Sequence, residues 1–256
     1  MQPGAGSQAG ANERFEPTRW SVILAAGREA DAEGSVQGSL AQLCRTYWAP
    51  LYGFIRGRGY SVHDAQDLTQ GFFGHLIEHQ IYRRTDKAKG KFRSFLLASA
   101  KHFLADAYDR ERTGKRGGGC EFLPLHEEHA VAAEALFQST AAPGMRTSED
   151  GAFERQWAET LTATALGCLT AEFEAEGRGA LFKALEVFVR GSAEPLPSYD
   201  QLAQRLEMPA ATIRSHVTRL RARYRVIVRA ELRRTVERDE QVDEELRELL
   251  RVLMTR

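Results

Sequence analysis

Apolar residues recur at three- and four-residue intervals along most of this chain, which predicts an all-α protein. Residues 1–16, rich in Gly, Ala, Gln and Ser without periodicity, read as a disordered tail. Thr18 then caps a short helix carrying Trp20, Ile23 and Leu24, which the glycine-rich stretch Gly27–Gly38 ends. A second helix holds Leu40, Leu43, Tyr47 and Leu51, with Pro50 near its end or kinking it. Ser61 is a good N-cap for a third. There Asp64 falls in the first turn, where the helix dipole favours an acid, and Ala65, Leu68, Phe72 and Leu76 make one apolar stripe. A basic loop from Arg83 to Lys91 leads into a fourth helix with Phe92, Phe95, Leu96, Phe103 and Leu104 and a cationic end at Arg110, Arg112, Lys115 and Arg116. Gly117, Gly118 and Gly119 break the pattern, and residues 117–150 predict a flexible acidic linker with a short helix at 127–137. Periodicity resumes near Phe153 and runs, with a pause at Gly177–Gly179, to Val189; two short helices follow Pro195 and Pro197. Val242, Leu246, Leu249, Leu250 and Leu253 stripe an amphipathic acidic tail over 236–256.

Charge divides the chain more sharply than hydropathy does. The 256 residues carry 35 basic and 35 acidic groups, yet residues 40–116 hold 14 basic against 7 acidic and residues 196–235 hold 9 against 3. Between them, residues 117–195 hold 5 against 13, and the tail from 236 holds 4 against 7. Two basic blocks held apart by an acidic one suit two surfaces that each meet a polyanion. Cys44, Cys120 and Cys168 are odd in number and far apart, which excludes a disulfide framework and a paired-cysteine zinc knuckle. No apolar run approaches the roughly 20 residues of a membrane span. The N-terminal residues lack the basic-then-apolar pattern of a secretory signal, so the cytoplasm is the expected location.

The most informative segment runs from Ser198 to Arg225. Tyr199, Leu202, Ala203 and Leu206 share one face of a short helix, Ile213, Val217, Leu220 and Tyr224 share one face of the next, and Glu207-Met208-Pro209 is a tight turn between them. That arrangement matches a helix-turn-helix, whose second helix enters a major groove about 12 Å wide. The residues outside its apolar stripe are Thr212, Arg214, Ser215, His216, Thr218, Arg219, Arg221 and Arg223, with no acid among them. A merely solvated face usually mixes signs, so this one points to DNA. Arg214, Ser215 and His216 lie near the helix start, where base edges are reached; Arg219, Arg221 and Arg223 lie further along, where phosphates are met.

Residues 40–116 and 153–235 together resemble an extracytoplasmic-function (ECF) sigma factor of the sigma-70 family, the promoter-specificity subunit of bacterial RNA polymerase. Asp64-Ala-Gln-Asp67-Leu-Thr-Gln70 resembles the family's DAEDLTQ-type motif, and Phe92 to Asp106 resembles its FRxWLxxIARN…D helix. Thr212-Ile213-Arg214-Ser215 matches the TVKS of the family's helix-turn-helix. Phe95 stands where the family usually has Trp, and Lys101-His102 where it has Arg-Asn. The long linker and the terminal extensions resemble a large-linker group of planctomycete-like genomes.

The resemblance implies a non-enzymatic initiation factor without cofactor or metal. Its expected units are a core-polymerase and start-proximal-element domain at 17–116, a linker at 117–150, and an upstream-element domain at 151–235. Asp64, Asp67 and Gln70 are the expected polymerase contacts, although an ordinary acidic first turn would look the same in isolation. Lys91, Arg93, Lys101, His102, Arg110 and Arg112 are the expected contacts to melted start-proximal DNA, in a helix whose interleaved cations and aromatics suit single strands; Phe103 is expected in the core. Thr212, Arg214, Ser215, His216 and Arg219 are expected at the upstream element. Partners would be core RNA polymerase, promoter DNA in duplex and melted form, and an anti-sigma factor or other regulator. The tail is expected to pack on the upstream-element domain or a partner and to shield a basic face. Two alternatives stand beside this reading: a free-standing helix-turn-helix regulator and a metal-dependent hydrolase. The last would use His75 and His79 at four-residue spacing, or Leu125-His126-Glu-Glu-His129, which is one residue short of the spacing that puts both imidazoles on one helix face.

Overall fold

The structure is a computed structural model that describes residues 33–81, 91–112, 127–140, 148–190, 195–236 and 239–254. Every regular element among them is helical, and no strand is present among the described residues. The tail at 1–16, the helix expected near Thr18 and the basic loop around Arg83–Lys89 lie outside the described residues.

Helix α1 (Glu33–Gly57) begins inside the glycine-rich stretch and continues past Pro50, which the sequence placed near the helix end or at a kink. A proline within a helix costs about 3 kcal/mol or more. Here Tyr47, Trp48, Leu51 and Tyr52 are all buried on either side of it, and that packing outweighs the lost backbone bond. The chain leaves α1 through Gly59, whose φ of +91° suits only glycine. Helix α2 (Val62–Glu78) starts as the sequence indicates: the Ser61 hydroxyl accepts the Asp64 N–H, and Ala65, Phe72 and Leu76 are buried, with Leu68 half-buried beside them. Helix α3 (Phe92–Arg112) buries Phe92, Leu96, Leu97, Ala100 and Leu104.

The segment expected to be a linker carries the short helix the sequence placed at 127–137. It contains helix α4 (Glu127–Thr140) and the first residues of helix α5 (Glu149–Ala175), which Ser148 caps. Helix α4 is fastened to α1: Glu134 takes two bonds from the Arg56 guanidinium at 3.0 and 3.1 Å and one from the Tyr52 hydroxyl, and Arg56 lies 5.1 Å over the Phe137 ring. Helix α5 is the axis of the molecule. Phe153 meets Phe54 of α1 edge-on, and Gln156 lies so close to Gly53 that a Cβ there would run into its carboxamide. Further along, α5 packs against the long helix of the C-terminal half.

That half comprises α6 (Gly179–Leu185), α7 (Val187–Arg190), α8 (Tyr199–Leu206), α9 (Ala210–Arg233) and α10 (Gln241–Met254). The sequence predicts a short second helix in the helix-turn-helix. The structure instead continues α9 for 24 residues, because Ile227, Val228, Glu231 and Leu232 extend the buried stripe. Tyr224 donates its hydroxyl to the Thr162 carbonyl of α5, and α10 buries Val242, Glu245, Leu249 and Val252 against α5 and α9.

Candidate nucleic-acid interface

The helix-turn-helix is built locally. Ser198 and Gln201 form a reciprocal capping box at the start of α8, each side chain bonding the other's backbone N–H. Glu207 takes the left-handed conformation (φ 51°, ψ 40°) that turns the chain, and Pro209 precedes α9 with its φ already set for a helix start. Leu202 from α8 and Ile213, Val217 and Leu220 from α9 are fully buried, so the two stripes read from the sequence do meet in one core.

The cations of α9 then fall into two sets that the sequence does not separate. Arg221 donates to the Phe188 carbonyl at 3.2 Å and lies 5.7 Å over the Phe188 ring. Arg223 grips Glu172 of α5 with two bonds, at 2.8 and 2.6 Å, and these bonds hold the Glu172 carboxyl below the usual range. Both arginines, expected at phosphates, fasten α9 to its neighbours. Arg214 is exposed and leans on Tyr199 at 5.5 Å, and Tyr199 in turn stacks on Phe188. Arg219 is exposed with no described partner, while Thr212, Ser215 and His216 are half-buried. By helical phase Ser215, Arg219, Ala222 and Val226 form the centre of the outward face, and Val226 is 54% exposed. Arg225, also exposed, extends this face. Arg225 stands at the end of the segment from Ser198 to Arg225 and was not counted among its polar residues, although the apolar spacing carries the helix on to Leu232.

The first basic block is arranged differently from expectation. Arg93, expected to meet DNA, is only 4% exposed. It bonds Glu154 of α5 at 2.6 Å, pairs with Glu245 of α10, and lies over the Trp157 ring at 4.2 Å. Burial would weaken its charge, but Glu154 and Glu245 more than compensate and hold its pKa above the ordinary value. Burial also raises the neighbouring Tyr47 phenol and the Glu154 carboxyl. Lys91 pairs with the same Glu245 at 2.9 Å and keeps a third of its side chain in solvent. In this arrangement Arg93 is a packing centre where α1, α3, α5 and α10 meet and is closed to DNA. Lys101 pairs with Asp150, and His102 is exposed. Arg110 and Arg112 end α3, and their side chains lie outside the described set. Phe103 is half-buried against Phe72 and His75, on the core side as expected.

On α2, Asp64 and Asp67 are exposed and Gln70 is half-buried; the Asp64 carboxylate also accepts the Ser61 hydroxyl at 2.6 Å, so it completes the helix cap. His75 and His79 rings stand 4.5 Å apart, and the described residues contain no group of three or more potential metal ligands. His126 lies outside the described residues. Cys44 is buried and its thiol is pushed up to about 12 by burial, so it is inert, whereas Cys168 is exposed. Among the described residues no helix is long and apolar enough to cross a membrane. No family model, no curated protein and no solved structure matches this chain.

Proposed function

We propose that this protein is a bacterial transcription initiation factor of the ECF sigma type, which binds core RNA polymerase, recognises a bipartite promoter and promotes its melting. The observation that carries the reading is the outward face of α9, where Arg219 and Arg225 stand exposed beside Ser215 and Thr218 on a buried helix-turn-helix framework. A long cationic helix without a carboxylate on its exposed face suits the major groove, with base-edge contacts near its start and phosphate contacts beyond. The exposed Asp64 and Asp67 on α2 support a polymerase-docking face, on a helix already held in the core by Phe72 and Leu76. In this reading the chain works in the cytoplasm as two functional units, one on either side of the acidic segment, needs no cofactor and catalyses no reaction itself. An anti-sigma factor or other regulator is a further expected partner.

The experiment is run-off transcription with purified core polymerase, paired with co-purification. The wild-type chain should assemble with core enzyme and start transcription at discrete sites. Asp64→Arg with Asp67→Arg should abolish assembly at a stability cost of about 1–2 kcal/mol from the lost cap and first-turn charge, because both carboxylates lie off the buried stripe. Tight DNA binding without polymerase and no effect of the double variant would make the protein a free-standing regulator instead.

A further inference from the structure

The acidic C-terminal segment stands on the cations of both basic blocks. Asp243 holds Arg229 at 2.6 Å and Asp239 pairs with Arg233, both from the end of α9. Glu245 reaches across to the start of α3, where one carboxylate serves Lys91 at 2.9 Å and Arg93 together. The Glu245 side chain is 5% exposed, so α10 closes off Arg93 while Lys91 stays in partial contact with solvent. Arg219 and Arg225 on the outward face of α9 pair with nothing in the tail among the described residues. The tail therefore takes up Arg229 and Arg233 at the end of this helix and leaves Arg219 and Arg225 uncovered; its buried acid sits at the start of α3.

A carboxylate shared between a lysine and an arginine occupies the place a backbone phosphate would take. The ion pairs themselves change little in such an exchange, because Lys91 and Arg93 are paired before and after it and Arg93 keeps Glu154; what opposes it is the apolar seam of Val242, Leu249 and Val252 that α10 must give up. We propose that α10 is an internal polyanion on the α3 cation site, so that single-stranded nucleic acid gains Lys91 and Arg93 only by displacing it, while duplex recognition on α9 is not subject to this competition. The inference rests on the nucleic-acid reading above and adds to it the regulation of the melting surface by the protein's own C-terminal helix. Leu246, Leu250 and Met254 leave part of α10 half-buried or exposed, consistent with a helix held by one seam along Val242, Leu249 and Val252.

The test uses the full chain as wild type, as Glu245→Gln, and as Leu249→Asp, which places a charge in the α10 seam without touching α3. Binding of a fluorescent oligothymidylate and of a duplex library is measured across a salt series. Both variants should bind the single strand about tenfold more tightly at low salt, with a log–log salt slope steeper by about 0.7 for each phosphate gained. Glu245→Gln should leave duplex binding unchanged. Because a variant can misfold, hydrogen exchange of wild-type α10 amides is followed as well: saturating oligothymidylate should deprotect them and duplex should not. Single-strand affinity equal in all three chains, no single-strand binding by any of them, or α10 protection that survives saturating oligothymidylate overturns the inference. Loss of the underlying reading would show separately, as failure of the wild-type chain to assemble with polymerase or to bind duplex at all.

Discussion

Arg93 and Arg223 each bridge two helices through carboxylates, yet their environments give the two pairs different weight. Arg93 lies among Trp157, Glu154 and Glu245 almost without solvent, so removing it leaves the buried Glu245 carboxylate with Lys91 alone and the half-buried Glu154 without its partner. Breaking such a pair costs about 3–5 kcal/mol. Arg223 and Glu172 are half in water, where an ion pair contributes about 0.2–1 kcal/mol. Arg93→Ala should therefore lower the urea midpoint severely and Arg223→Ala slightly, with Arg93→Met recovering part of the loss by filling the space over Trp157. Comparable small shifts for both alanine variants would show that Arg93 is not buried in solution.

Helix α4 illustrates how an element with weak sequence signal is held by a few contacts. Its one buried apolar residue among those described is Ala133, so its docking depends on Glu134, which Arg56 and Tyr52 both engage. The Arg56 bonds pull the Glu134 carboxyl down to about 2, against the ordinary 4.5 it regains on unfolding. A folded pKa below the unfolded one makes the contribution full above the unfolded value and lost as pH falls towards the folded one. Glu134→Gln should thus destabilise the protein at about pH 7 and do so much less at about pH 3, measured as the difference in urea midpoint from wild type. An equal difference at both pH values would mean that the carboxylate charge plays no part in docking α4.

Across the whole molecule, α5 joins what the charge pattern divides. It packs on α1 through Phe153 and Gln156, on α9 through Thr162 and Glu172, and α10 lies along both α5 and α9. Gly53→Ala places a methyl group against Gln156, an overpacking that costs about 1–3 kcal/mol. Since α5 is common to both halves, hydrogen-exchange protection in α2 and in α9 should fall together in this variant. A drop confined to α2 would show that the halves unfold independently.

Local order was legible along the chain because it depends on neighbours a few residues apart. The Ser61 cap, the stripes of α2, the turn at Glu207-Met208-Pro209 and the all-helical class follow from short-range spacing and capping chemistry, and the structure contains each of them. The uninterrupted run of α1 past Pro50, the 24-residue α9 and the docking of α4 were decided by burial against distant helices, which no local window contains. The same holds for the candidate site. A cationic residue type marks a polyanion surface only if it reaches solvent, and Arg93, Arg219 and Arg223 are indistinguishable as letters. Tertiary packing alone gave Arg93 the carboxylates of Glu154 and Glu245, tied Arg223 to Glu172 and left Arg219 facing water, because those partners lie about fifty residues or more away along the chain.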